Sequence, residues 1–187
     1  MSNLPATKTK LVIVEGIPGS GKSTLSRYIH DMLNTHQIES ELFLEGDLRH
    51  PADYESVACM PNEELDQLRS IYSEAFHYID PFISLNGNDA LIAYALAQQS
   101  AQNEIPSSLY EEIRRYEIYD GVPVEKYCEL MIQRWKSFVK DQREKEKLMI
   151  LECCFYRTQG VHYSPGMMLE KTVLFSMYYR LRSKFRS

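Results

Sequence analysis

The apolar run LVIV at 11–14 is short and continuous. With glycines after it and helical spacing beyond, it predicts a fully buried parallel strand. From about Lys22 to Asn34 the apolar positions Leu25, Tyr28, Ile29, Met32 and Leu33 recur at three- and four-residue spacing, which predicts a helix with one buried stripe. A second strand is expected at 41–44 (ELFL), ending at Glu45-Gly46-Asp47 and leading into the polar loop LRHPADY. Leu65, Leu68, Ile71, Tyr72 and Ala75 then mark one side of a helix over about 63–79, capped by Asn62 or a neighbour. Pro81 and Asn86-Gly87-Asn88 break that pattern, and Asp89 opens an alanine-rich helix, DALIAYALAQQ, ending near Asn103. A short helix from Ser107 or Ser108 to Tyr116 follows, then a turn at Asp120-Gly121. A strong helix at 123–140 carries the stripe Val124, Tyr127, Cys128, Met131, Trp135, Phe138 and Val139. The run LMILE at 148–152 predicts a third strand; beyond it, TQGVHYSPG reads as loop and MMLEKTVLFSMYYRLRSKF as a final helix with a basic end.

This order predicts an α/β fold, a parallel sheet flanked by helices, in which the first strand, helix and second strand form a βαβ unit. The whole of 1–187 is expected to be one domain, with a mostly helical insert at about 60–141 between the second and third recognisable strands. Three strands are fewer than this architecture normally carries. The part at 158–187 shows no readable fourth or fifth strand, and is therefore expected to be shortened or differently folded.

Composition narrows the class. With 44% hydrophobic and 25% charged residues in 187, the chain matches an ordinary soluble globular domain. A formal charge of -5 gives no support to a broad nucleic-acid surface, whose footprint is basic. The four cysteines, Cys59, Cys128, Cys153 and Cys154, form no close C-x-x-C pair and read as small buried hydrophobes in a reducing compartment. The start MSNLPATKTK lacks an apolar signal region and no stretch approaches 18 apolar residues, so the cytoplasm is the expected location and no membrane partner is expected.

The chemistry concentrates after the first strand. Gly16, Gly21, Lys22 and Ser23 fit G-x-x-x-x-G-K-[ST], a pattern that average composition produces by chance in roughly one chain of this size in a hundred. Glycines at 16, 19 and 21 let backbone amides approach and ring a phosphate, and Ser20 and Thr24 stand in the same loop and helix start. The helix beginning near Lys22 adds its unpaired N-terminal amides. Lys22 brings a mobile positive charge to the outer phosphates, and Ser23 offers a hydroxyl to Mg2+. Glu152 closes an aliphatic run, the position from which a carboxylate reaches a metal directly or through water. Its alternative is a strand-end glutamate paired with a basic residue. Glu15, at the end of the first strand, is open to a metal-shell water, an acceptor group or a packing role.

Glu45 and Asp47 stand two apart at the C-terminal end of the second strand, where ligands bind in open α/β sheets. Asp47 is the first choice for the group accepting a substrate hydroxyl's proton, and Glu45 the second. The plainer alternative is that one caps the following turn or pairs with Arg49. Arg49 either holds a phosphate or carboxylate of the acceptor or is a solvated turn residue. His50 reads as a loop hydrogen-bonder. In the insert, Trp135 reads as core, and Arg134, turned about 100° from it on a helix, is a candidate to face a cleft. Tyr72, His77, Tyr78, Arg114, Arg115, Tyr116 and Tyr119 are further insert residues that either line an acceptor pocket or, as stripes at this spacing more often do, pack in the core.

The segment EGIPGSGKST after a strand resembles the opening of the P-loop kinases of small molecules: nucleoside and nucleotide kinases, shikimate and adenylylsulfate kinases, and zeta-toxin-like or chloramphenicol-phosphotransferase-like enzymes. The likeness covers about residues 10–50, with a weaker match at 148–152. GDLRHPADY is similar to the second-strand loop of the zeta-toxin-like kinases, and Asp47 matches its aspartate. The resemblance implies a P-loop NTPase fold and Mg2+- and ATP-dependent transfer of the terminal phosphoryl group to a hydroxyl or phosphate of a small molecule, such as a nucleoside, nucleotide or sugar derivative. It also implies lid arginines late in the chain, for which Arg157, Arg180, Arg182 and Arg186 are present without a recognisable lid motif. A hydrolysing ATPase or GTPase and a catalytically weak nucleotide-binding protein are the competing classes. A small-molecule acceptor is the expected partner; the sequence does not decide between monomer and homodimer.

Overall fold

Two three-stranded sheets organise the computed structural model, which describes residues 11–102, 104–145 and 147–152. Contacts divide the chain into Met1–Cys154 and Phe155–Ser187, and every described residue belongs to the first unit. The expected final helix, the loop TQGVHYSPG, the four late arginines, Cys153 and Cys154 lie outside the described residues.

The first sheet joins β1 (Leu11–Val14), β6 (Leu148–Glu152) and β2 (Ser40–Phe43), all parallel, with β6 in the centre. Register sets Val14 opposite Glu152 and Phe43 opposite Leu151, so the C-terminal ends of all three strands meet at one edge. The fully buried strand is β6, whose Met149, Ile150 and Leu151 are at most 1% exposed. β1 departs from the expectation of complete burial: it is flanked by β6 alone among the described strands, and Ile13 is 38% exposed. Each buried aliphatic side chain of β6 contributes about 1.5–3 kcal/mol of apolar burial.

Helix α1 (Lys22–Thr35) follows the glycine-rich loop and packs on β2 and β6. Its buried column runs through Lys22 and Ser26, with Ile29 and Leu33 half-buried, at a spacing of 4, 3 and 4 residues. The expected stripe is therefore corrected: Leu25, Tyr28 and Met32 lie on the adjacent face and are 51%, 65% and 42% exposed. The spacing predicts the helix but not its buried face, because Ser26, which is fully buried, carries no hydrophobic signal.

The second sheet was not anticipated. β3 (Ala58–Pro61), β5 (Asp89–Ile92) and β4 (Ile83–Asn86) form an antiparallel sheet inside the insert. Asp89 starts a strand, not a helix, and α4 (Tyr94–Ser100) is only the remainder of the expected DALIAYALAQQ helix. The cause is the turn before it: Asn86 pairs with Asp89 across Gly87-Asn88, a two-residue hairpin loop with Gly87 at φ 65°. Pairing with β3 and β4 buries Ala90 and Ile92 completely and overrides the helix propensity of Ala and Leu. The helix expected over 63–79 is likewise split into α2 (Asn62–Ile71) and α3 (Phe76–Ile79), followed by a 3-10 turn at Asp80–Phe82. The insert core closes around Met60, Phe76, Ile79, Ile92 and, from α5 (Ser107–Arg114), Leu109 and Ile113.

Helix α6 (Val124–Glu144) buries Met131, Trp135 and Phe138 of the expected stripe together with Leu130, whereas Tyr127, Cys128 and Val139 are half-buried and Val124 is 42% exposed. On another face, Lys126 pairs with Asp89 at 2.6 Å and Gln133 accepts a hydrogen bond from Asn86 at 3.2 Å. Seven residues is two turns, so both contacts hold α6 against the β4–β5 hairpin along one line.

Candidate functional site

Between β1 and α1, residues 15–21 fold over the C-terminal edge of the parallel sheet. Gly19 and Gly21 take φ of 78° and 87°, a region costly for side-chain-bearing residues, and Gly21 is the residue from which α1 starts. Gly16 is constrained differently. A Cβ there would stand 2.7 Å from Ser20 Oγ and 3.3 Å from Lys22 Cγ, so glycine leaves room for the side chains folded inside the loop. The Ser20 amide donates to Ile17 O at 3.2 Å, which turns the loop toward the helix. The first amides of α1 have no acceptor within the helix, and they carry its positive dipole end.

Lys22 is 8% exposed, and its Nζ donates to Ile17 O at 3.3 Å and stands 3.5 Å from Glu45 Oε2. Ser23 Oγ donates to Glu152 Oε1 at 2.7 Å, and the Glu45 amide approaches Glu152 Oε2 at 3.4 Å. Glu152 is 2% exposed; a carboxylate so enclosed requires donors, and the serine hydroxyl and this amide are two of them. Ser23, Lys22, Glu45 and Glu152 thus converge from three elements that share one sheet edge. Glu45 pairs with Lys22 and not with Arg49. Thr24 is exposed at the third position of α1.

Past β2 the chain turns at Gly46 (φ 85°), and Asp47 Oδ1 accepts the Arg49 amide at 2.9 Å. Asp47 therefore caps this turn, as the plainer alternative held, while remaining half-exposed. His50 is buried; its Nδ1 accepts the Ala52 amide at 3.3 Å and its ring meets Phe43 edge-on. Burial lowers the His50 pKa to about 4, with the Arg134 charge acting in the same direction and Asp47 opposing it. The imidazole is neutral at pH 7 and locks the loop.

Arg49 does not face the glycine-rich loop. With Leu48, Asp53, Tyr54 and Arg134 it lines a cavity of about 200 Å3. Arg134 Nη2 donates to His50 O at 3.0 Å, and its guanidinium lies 5.1 Å over the Tyr54 ring. Asp53 Oδ1 accepts the Tyr54 amide at 2.8 Å and the Tyr119 hydroxyl. Burial raises the Tyr54 pKa, against the pull of Arg134. Asp53 and Tyr54 were not singled out from sequence; the only signal was a polar HPADY loop too rich in ring-bearing residues to be wholly solvated.

Other insert candidates stand apart. Trp135 is core, 3% exposed and edge-on to Phe138. Arg114 and Arg115 pair with Glu111 and Glu112 on α5, Tyr72 donates to Ser108, and Tyr116 to Glu64. Tyr78 is 43% exposed and His77 is also exposed. Among the described residues no group of three or more His, Cys, Asp or Glu is placed to hold a metal ion by itself. None of the described helices is long and apolar enough to cross a membrane. Comparison with protein-family models, with curated proteins and with solved structures found no match.

Proposed function

We propose that the protein is a Mg2+- and ATP-dependent phosphotransferase with a P-loop NTPase fold, acting on a hydroxyl or phosphate of a small molecule. The observation that carries the reading is the 2.7 Å hydrogen bond from Ser23 to Glu152, which joins the last residue type of the G-x-x-x-x-G-K-[ST] loop to the carboxylate closing the central strand. Magnesium in phosphoryl-transfer sites takes one or two protein groups and fills its shell with phosphate oxygens and water. Ser23 and Glu152 fit that requirement, and a lack of three clustered ligands is compatible with it. When bound, Mg2+ would neutralise charge on the transferring phosphoryl group.

The roles of the chain's own residues follow. Backbone amides of the 16–21 loop and of the first turn of α1 bind the β- and γ-phosphates. Lys22 exchanges Glu45 for phosphate oxygen, since both offer it an anionic partner. Asp47 takes the proton as the acceptor oxygen bonds to phosphorus and the bond from phosphorus to the ADP oxygen breaks. Its Oδ1 is engaged with the Arg49 amide, which fixes the carboxylate's orientation.

The deciding experiment is calorimetry of Mg2+-ATP and Mg2+-GTP binding to the folded protein, followed by a turnover assay over nucleosides, nucleotides and sugar derivatives. Binding with acceptor-dependent ADP release supports the kinase reading. Equal ADP release without acceptor points to a hydrolase, and no nucleotide binding removes the proposal.

A further inference from the structure

The cavity behind the 47–54 loop has chemistry of its own. Its lining combines the apolar Val57, Phe82, Leu91 and Leu96 with the guanidiniums of Arg49 and Arg134. Leu91 reaches it because β5 alternates: Ala90 and Ile92 enter the insert core, which leaves the odd-numbered residue for the other face. Among the described residues neither arginine forms an ion pair with a carboxylate. Arg134 donates one bond to a backbone carbonyl and stacks on Tyr54, while its Nε is fully enclosed without a hydrogen-bond partner. Two guanidiniums lining one cavity without a carboxylate ion pair favour an anionic oxygen there. Asp53 sets one negative charge against the two arginines, and its Oδ1 already accepts from Tyr54 and Tyr119.

We infer that this cavity binds a small organic acid, a carboxylate or phosphate monoester on a compact, partly apolar body, with its acid group against Arg49 and Arg134. At about 200 Å3 the space is below the ~300–1,000 Å3 typical of drug-sized ligand sites, which suits one ring or a short chain. Resting on the phosphotransferase reading, the bound acid is the acceptor, since Asp47 stands two residues before Arg49 on the loop joining the cavity to the sheet edge. The acceptor is then a hydroxylated acid or a monophosphate and not a neutral sugar. The planar guanidiniums fit either acid group bidentately.

The test measures binding of 4-hydroxyphenylacetate, phenyl phosphate and the neutral 4-hydroxyphenylacetamide by calorimetry, without nucleotide. Both acids are expected to bind at least 10-fold more tightly than the amide, and their relative affinity identifies which acid group the site prefers. Arg134→Gln and Arg49→Gln should each weaken the acids by about 10–100-fold, the loss of one charge-assisted hydrogen-bonding group, with Arg134→Lys recovering part of it. Should Arg134→Gln fail to fold, Arg49→Gln carries the test, because Arg49 is an exposed residue. Lys22→Ala separates this cavity from the phosphate loop: acid binding that survives it supports the inference. Equal binding of acids and amide, no binding of any probe at millimolar concentration, or acid binding lost in Lys22→Ala would overturn it. Acid binding without Mg2+-ATP binding supports the cavity's ligand class and removes the phosphotransferase reading; Mg2+-ATP binding without acid preference does the reverse.

Discussion

Ser23 and Glu152 are 129 positions apart in sequence and 2.7 Å apart in space, hydroxyl to carboxylate. Parallel pairing of β1 with β6 sets Val14 beside Glu152, and the loop after β1 returns Ser23 to the same edge. The hydrogen bond fixes a buried carboxylate at the start of α1. Under the proposed function, Glu152→Gln keeps the shape and removes the charge. It should lower Mg2+ affinity in the nucleotide complex by about 10–100-fold, the scale of losses when a group around a metal is altered. A Mg2+ titration of nucleotide binding reads this directly; an unchanged Mg2+ midpoint would separate Glu152 from the metal.

Asp47 offers a cleaner substitution. Asn in its place retains the oxygen that accepts the Arg49 amide, so the turn persists, while the proton-accepting charge is gone. Asp47→Asn should bind Mg2+-ATP as the unaltered chain does and lose transfer by about 100-fold or more, within the range for removal of a general base. Transfer at the original rate would assign the proton to another group, and Glu45 would be the next to change.

The framework of the parallel sheet was legible because its signals are local: LVIV, LMILE and the glycine pattern each declare themselves within a few residues. The antiparallel sheet was not. DALI carries residues at home in a helix, and its strand state comes from partners at Ala58–Pro61 and Ile83–Asn86. The Gly87-Asn88 hairpin loop is the one local cue, and taken alone it marks only a break in the helical pattern. In the site, Glu45 was visible as a strand-end carboxylate, but its partner was not. Pairing with Lys22 depends on β6 standing between β1 and β2, and no spacing in the sequence states that order. Arg134 could be placed on a helix face, yet the cavity beneath it is made by the unforeseen sheet.

Gly21 permits a test independent of any ligand. At φ 87° a side chain costs about 1–2 kcal/mol, and no neighbouring atom lies within 4 Å of an added Cβ to compound it. Gly21→Ala should destabilise the fold by that amount, seen as a lower urea midpoint with unchanged slope. The single tryptophan, Trp135, is 3% exposed and reports unfolding by its fluorescence. Gly16→Ala should differ in kind: its Cβ presses on Ser20 Oγ and Lys22 Cγ, so loop shape and phosphate affinity change while global stability moves less.

His50 makes stability depend on pH with a defined sign. Its pKa is about 4 in the folded protein, against 6.5 as the ordinary value, with burial as the leading cause. Above pH 6.5 the ring is neutral in both states and its contribution is fully present. As pH falls from 6.5 to 4, the unfolded chain takes up a proton that the folded chain refuses, and stability declines. Below about 4 both states are protonated and this contribution changes no further. The fall from 6.5 to about 4 corresponds to roughly 3 kcal/mol. Urea midpoints measured between pH 4 and 7.5 should show this decline. In His50→Asn the amide oxygen replaces Nδ1 as acceptor for the Ala52 amide, so the loop bond is retained and the titration is lost. The variant's curve should be flatter across the same window, by about the same ~3 kcal/mol. Parallel curves for the two proteins would remove His50 as the source of the acid sensitivity.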